Sequence, residues 1–406
     1  MTPLAFFIWA ALSMFVACVV LLWLSPFVMW RSYYLVTFNV TASRSLSVAA
    51  KQRLLRHLAK VLFTTAMLSV FWFVDALLFR RYRRTQSDAP LFILSQPRNG
   101  STLLHRTLAL DKDTFYSVIH LEWRLPSLTL WTLLDALRLR GPLARINYWP
   151  STELGQVASK LHSHVLGNAE EHGVFLEERM FHHYFTFRRF PLPCVLRRVG
   201  NLDCLTTNEK RKMLRTFCSV VAKVASYRGA GRIWLTKENE SVDFYRLLRK
   251  AFPRARFLVI SRNPLEFVPS YLKLSYVCTT AKHGVDPTTI PGWHTANMDF
   301  RRVEARKQVA FCDELEREGA VFFLNYYKFT SNIYSSVKEI YDWLGISMNA
   351  DYAQRLLQEQ SRQNARIAGY TNESCDVTGF DEYSAFMEHH DLTNPPEPPR
   401  YEGMQA

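Results

Sequence analysis

Beyond residue 85 the sequence predicts an α/β fold, a parallel β-sheet flanked by helices, preceded by an N-terminal transmembrane helix. Three observations carry this reading. Short apolar runs alternate with helix-length amphipathic stretches, the pattern of a parallel sheet with helices on both faces. The first of those runs passes directly into the loop Gln96-Pro97-Arg98-Asn99-Gly100-Ser101-Thr102 and a helix, and no charged side chain occurs between Met1 and Trp30. With 406 residues the chain has room for one large domain and an appendage, because a single core grows to roughly 250 to 300 residues before it splits.

Taken in order, the run from Leu4 to Trp30 is uncharged throughout and at 1.5 Å per residue is long enough to cross a hydrocarbon core of about 30 Å. A cleaved signal peptide needs a basic start and a shorter apolar stretch, and both are missing. A second run, Val61 to Phe79, is interrupted by Asp75 and preceded by Leu54, Leu55, Leu58, Val61 and Leu62 at helical spacing beside Lys51, Arg56 and Lys60. It either spans the bilayer or lies along its surface, and Asp75 then needs the interface or a partner. The net charge is +14, with ten Lys and Arg against two acids in residues 1–90. More than half the excess therefore lies beside the apolar segments, where it suits anionic headgroups better than a nucleic acid.

The organisation predicted is a transmembrane helix (1–30), a basic membrane-proximal region (31–84), the main domain (85–393) and a disordered Pro-rich tail (394–406). An endomembrane location, ER or Golgi, is expected, with the side of the membrane left open. The positive-inside rule places the basic clusters in the cytosol, whereas sequons at Asn39, Asn239 and Asn372 suit a lumenal domain. Seven scattered cysteines show no zinc spacing, so no metal is expected.

Within the main domain, 91–95, 232–236, 256–261 and 320–325 read as strands, and 101–110, 208–227, 241–251, 265–275 and 299–318 as helices. The loop after the first strand has the composition of an oxyanion cradle. Gly100 lets backbone amides approach an anion, the helix beginning near Ser101 points its positive end there, Ser101 and Thr102 add hydroxyls, and Arg98 adds a full charge. A plain turn with Ser as helix cap accounts for Gly100 and Ser101 but not for Arg98. No GxxxxGK[ST] motif is present. A second anchor lies downstream, where a buried strand ends in Ser261-Arg262-Asn263-Pro264 and Ser270 follows two helical turns later. Arg supplies a forked donor and Ser a hydroxyl.

These two segments resemble the sulfotransferases that use 3'-phosphoadenosine 5'-phosphosulfate (PAPS), whose first loop has the common form Pro-Arg-Ser-Gly-Thr-Thr-x-Leu. Here Asn99 stands for the first Ser and Ser101 for the first Thr. Trp234-Leu235-Thr236-Lys237, Phe252-Pro253-Arg254-Ala255 and Tyr341-Asp342-Trp343-Leu344-Gly345 also look like that group, and the likeness spans roughly 90–345. The resemblance implies a P-loop-like sheet and a sulfotransferase that moves a sulfuryl group from PAPS, in line and without a metal, to a hydroxyl or amine acceptor. It further implies Arg98, Asn99, Gly100, Ser101 and Thr102 on the 5'-phosphosulfate, and Arg262 and Ser270 on the 3'-phosphate.

In such enzymes the base is a Glu or His shortly after the first loop. Glu122 is the leading candidate and His120 the second, with Glu177 and Glu178 as further candidates because they close an apolar run that could end a strand. Lys237, closing the Trp234 strand, is a candidate for contact with the transferred sulfate. His105 faces the cofactor or packs; Arg366 and Tyr370 are candidates for capping the nucleotide; His182 and His183, among Phe181, Tyr184, Phe185 and Phe187, mark an acceptor pocket or a piece of core. Carbohydrate, a tyrosyl protein, and a lipid or small hydroxyl compound remain open as acceptors, with the membrane as a partner and nucleic acid excluded. The competing readings are a nucleotide-dependent kinase of related fold and an inactive membrane scaffold.

Overall fold

The computed structural model describes residues 2–85, 89–179, 188–199, 202–229, 231–239, 241–365 and 375–393. Arg366, Tyr370, His182, His183, the Asn372 sequon and the Pro-rich tail lie outside the described residues. Five strands, β1 (Leu91–Leu94), β2 (Phe115–Tyr116), β3 (Ile233–Glu238), β4 (Arg256–Ser261) and β5 (Val321–Asn325), form a sheet in the order β2-β3-β1-β4-β5, every neighbouring pair parallel. β1 is buried along its whole length. With both faces covered it reads as an unbroken apolar run rather than an alternating one. The unpredicted β2 is two residues long, too short to carry a period. β1 lies between β3 and β4, and its last residue, Leu94, stands level with Glu238 and Val259. From β1 the chain runs to β2 and β3 on one side and then crosses to β4 and β5 on the other, and at this reversal a crevice opens at the carboxyl ends of β1, β3 and β4.

The N-terminal region corrects one expectation. Helix α1 (Pro3–Leu24), capped by the Thr2 side chain, exposes most of its large apolar residues. Helices α2 (Trp30–Ala42) and α3 (Val48–Leu78) instead pack on the core of the main domain and are not an appendage to it. Phe27, Met29 and Leu68 share a cluster with Phe92, Trp123 and Trp234, while Val36, Val40, Leu54 and Leu58 pack with Tyr271 and Trp293. Asp75 finds its partner inside the protein. Its carboxylate is buried, lies 2.8 Å from Lys223 Nζ, and accepts hydrogen bonds from Ser127 Oγ and the backbone of Leu128 and Thr129.

After β1 come α4 (Ser101–Leu108), α5 (His120–Arg124), α6 (Leu128–Ala136), α7 (Arg140–Ala144), α8 (Glu153–Leu161) and α9 (Gly173–Glu178). The last corrects the reading of Val174–Glu178 as the end of a strand: the apolar run is a short helix, and runs of that length do not distinguish the two by period. Then follow α10 (Pro193–Val199), α11 (Thr207–Val224), α12 (Val242–Ala251), α13 (Pro264–His283) and α14 (Trp293–Arg317). Helix α13 extends eight residues beyond its predicted end and stops at Gly284, which takes the left-handed conformation that glycine adopts without penalty. Two of the three sequons also change meaning. Asn39 is buried within α2 and donates to Leu35 O, and Asn239 faces into the crevice.

Candidate active site

The crevice holds a cavity of about 820 Å³. Pro97, Arg98, Gly100, Ser101 and Thr102 line it from the loop after β1, Asn239 from the end of β3, Arg262 from the end of β4 and Tyr326 from the end of β5. Seven lysine and arginine side chains line it against three glutamates, so the cavity is built for an anion.

Local geometry explains the loop. Gly100 takes φ 85°, and a Cβ there would lie 2.8 Å from the Tyr326 ring. Only glycine allows this close approach. Arg98 also has positive φ, 69°. That conformation is uncommon for a residue with a Cβ and concentrates at functional sites. Its Nε donates to Ser270 Oγ at 2.9 Å and its Nη1 to Leu161 O at 3.0 Å. The two motifs, far apart in sequence, therefore touch. Ser101 Oγ donates to Asn239 Oδ1 (3.0 Å), which also receives Ser95 Oγ (3.1 Å). Behind the loop the buried Arg301 donates to Asn239 O (2.9 Å). The guanidinium of Arg262 pairs with Glu266 at 2.6 Å and lies over the Tyr326 ring.

Not every expected residue reaches the cavity. Asn99 is turned into the core, where its Nδ2 donates to Tyr383 Oη (2.8 Å), so its side chain is structural. Glu122 is fully buried and does not line the cavity. It closes its own helix by accepting from Ile119 N (3.0 Å), and it is paired with Arg140 (2.6 Å) and Arg228 (2.8 Å). Both carboxylate oxygens are thus taken up by two guanidiniums and a backbone amide, and neither faces an acceptor. His120 is likewise buried, receives Arg124 Nε at 2.8 Å, and is pushed to about 3 by burial and by Arg124. Glu178 pairs with Arg124 and Arg189 at 3.0 and 2.9 Å, away from the main cavity. Glu177 does line it, bound to Arg189 and Lys282. His105 packs, fully buried, against Ser117 Oγ (3.1 Å).

The structure adds residues that the sequence did not single out. Glu171 lines the cavity, and Lys237, buried one residue before the end of β3, is ion-paired to it. Burial pushes the Glu171 carboxyl upward, against the pull of Lys237. Arg106, Arg188 and Lys282 add positive charge. Against the expectation of no ligand cluster, His162, His164 and Glu170 bring their donor atoms within 4.8 Å of one another. Arg106 stands 3.8 Å from Glu170. Despite burial, His162 and Lys237 hold that carboxyl well below the usual range. His162, His164, Glu170 and Glu171 belong to no motif; the packing of α8 and α9 carries the segment 160–171 to the site.

Comparison with known proteins agrees with this fold. No curated protein matches the chain. Among solved structures the fold is similar to sulfotransferase STF9 from Mycobacterium avium (TM-score 0.62, 16% identity, 90% of this chain and 92% of that one). It is also similar to sulfotransferase STF1 from Mycobacterium tuberculosis H37Rv (TM-score 0.57, 14% identity, 84% and 92%). At these identities the likeness concerns the fold. The profile described as "Sulfotransferase family" matches residues 90–350, the stretch that contains all five strands together with the Arg98–Thr102 loop and the Arg262–Ser270 segment, and the chain accordingly belongs to the sulfotransferase family.

Proposed function

We propose that the protein transfers a sulfuryl group from PAPS to an acceptor hydroxyl, anchored to a membrane by α1. The observation that carries this reading is one basic cavity lined both by the Arg98–Thr102 loop and by Arg262, with Arg98 bonded to Ser270. Two anion sites joined in one cavity suit a nucleotide with phosphate groups at both ends better than a nucleoside triphosphate. Arg98, the loop amides, Ser101 and Thr102 would hold the 5'-phosphosulfate, and Arg262 with Ser270 the 3'-phosphate. PAPS supplies an activated sulfuryl group whose leaving partner is a phosphate. As the acceptor oxygen bonds to sulfur and the sulfur–phosphate oxygen bond breaks, negative charge grows on that phosphate, and Arg98 and the α4 amino end stand where they stabilise it.

The base in this reading is Glu171 rather than Glu122. Glu171 faces the cavity, and burial raises its affinity for a proton, toward the working pH that suits a general base. Lys237 acts through Glu171 as a positioning residue. Calorimetry on the full chain in detergent micelles, titrated with 3'-phosphoadenosine 5'-phosphate, tests the assignment. Arg98→Ala and Arg262→Ala are expected to weaken binding at least tenfold, about 1.4 kcal/mol, and Glu171→Gln to leave binding unchanged while slowing sulfate transfer. Equal affinity for the nucleotide lacking its 3'-phosphate would sink the role of Arg262, and unchanged turnover in Glu171→Gln would sink that of Glu171.

A further inference from the structure

A second cavity, about 330 Å³, opens beside the first and shares Trp149, His164 and Lys282 with it. Its outer wall is α3, through Arg56, His57, Lys60 and Val61. Arg56 and Lys60 begin a stripe that continues as Phe63, Met67 and Val70, all exposed. Steps of four, three, four and three residues keep these side chains on one helical face. Along that face the surface therefore changes from cationic, at the mouth of the cavity, to apolar. This is the order of a membrane boundary, where long basic side chains reach the headgroups and apolar ones enter the hydrocarbon. The exposed apolar side chains of α1 belong to the same N-terminal region.

From this juxtaposition we infer that the acceptor is the hydroxylated head group of a membrane lipid, admitted to the main cavity past Trp149 along α3. The inference rests on the sulfuryl-transfer reading above and names its acceptor class. The wall of the second cavity fits a head group rather than an acyl chain. Tyr148 offers a ring with a polar edge, Trp149, whose Nε1 donates to His162 O, offers a ring, and Glu178, Arg189 and Lys282 offer charged hydrogen-bonding groups. An acyl chain finds its own surface outside, on Phe63, Met67 and Val70. A sugar head group has the required chemistry whether free or lipid-borne, and the α3 stripe favours the lipid-borne form.

The test uses the full chain in phosphatidylcholine vesicles with a galactosyl diacylglycerol carrying a diazirine beside the sugar. Photolysis is expected to label peptides containing Lys60–Val61 and Trp149. Unlabelled galactosyl lipid should compete, and a hundredfold excess of methyl galactoside should not. Lys60→Trp, at an exposed position on the mouth, should lower the labelling at least fivefold while the affinity for 3'-phosphoadenosine 5'-phosphate stays within twofold. Labelling confined to α1 and to Phe63 and Met67, labelling unmoved by Lys60→Trp, or equal competition by the soluble galactoside overturns the lipid route. A wild-type chain that captures the probe but binds no nucleotide overturns the PAPS reading, and with it the lipid's place as acceptor.

Discussion

Gly100 and Tyr326 show how tightly single residues constrain this site. A methyl at position 100 meets the ring at 2.8 Å, on a backbone whose φ is 85°. That left-handed conformation costs a residue with a Cβ about 1–2 kcal/mol. Gly100→Ala should therefore weaken binding of 3'-phosphoadenosine 5'-phosphate at least tenfold, read by calorimetry. Glu178 provides a separate pH signature. Burial pushes its carboxyl up, but Arg124 and Arg189 outweigh burial and hold it at about 2, below its ordinary 4.5. A folded-state value below the unfolded one gives stability that is present above the unfolded value of 4.5 and lost as pH falls toward 2. By that linkage Glu178→Gln should cost roughly 3 kcal/mol at pH 7, and urea titrations should show the gap closing across that acid range. The sequence displays residues whose task is local: Arg98, Gly100 and Ser101 sit on one strand-to-helix turn and are visible as a motif. It draws attention to Glu122 because of its distance from the loop, yet a capping bond and two arginines turn that carboxylate inward. Glu171 carries no sequence signal, because its place in a loop before α9 depends on Lys237 from β3.

Elements show the same division. The helical spacing of Leu54, Leu58 and Val61 makes α3 legible, and all three are buried as an apolar face requires. What that face meets is decided elsewhere in the chain. Asp75 sits at the amino end of α6, where it caps Leu128 and Thr129 and pairs with Lys223 of α11, a favourable place for a carboxylate. Burial lowers Lys223 to about 8 even with Asp75 beside it. Asp75→Ala would leave a buried ammonium without its partner, a change that costs about 3–5 kcal/mol. The expected result is a lower unfolding midpoint together with faster amide exchange at the amino end of α6. Unaltered exchange there would show that Asp75 does not hold α3 against the domain. The apolar segment Val61–Phe79 reads as a candidate membrane span when taken alone, but Asp75 reveals that one side of it belongs to the protein.

For the whole molecule, the boundary at residue 85 marks a change in sequence pattern and not a division of the core. Phe27, Met29, Leu68 and Tyr82 join the cluster that holds Phe92 and Trp234. A chain of residues 25–406, lacking only α1, is expected to unfold in one cooperative transition by calorimetry. A chain of residues 85–406 should lose that transition, because removing α2 and α3 exposes apolar surface at roughly 25 cal/mol per Å². By itself the sequence determined the parallel α/β class, the strand-to-helix loop at Arg98–Thr102 and the strand end at Arg262 that line the cavity, and the apolar character of α1, because period, loop chemistry and charge-free length are local properties of a chain. The tertiary structure decided that Arg98 touches Ser270, that Glu171 rather than Glu122 faces the cavity, and that α3 walls a second cavity while covering the core. Each of these depends on which distant side chains share a buried volume, a quantity fixed by packing and not by spacing along the chain.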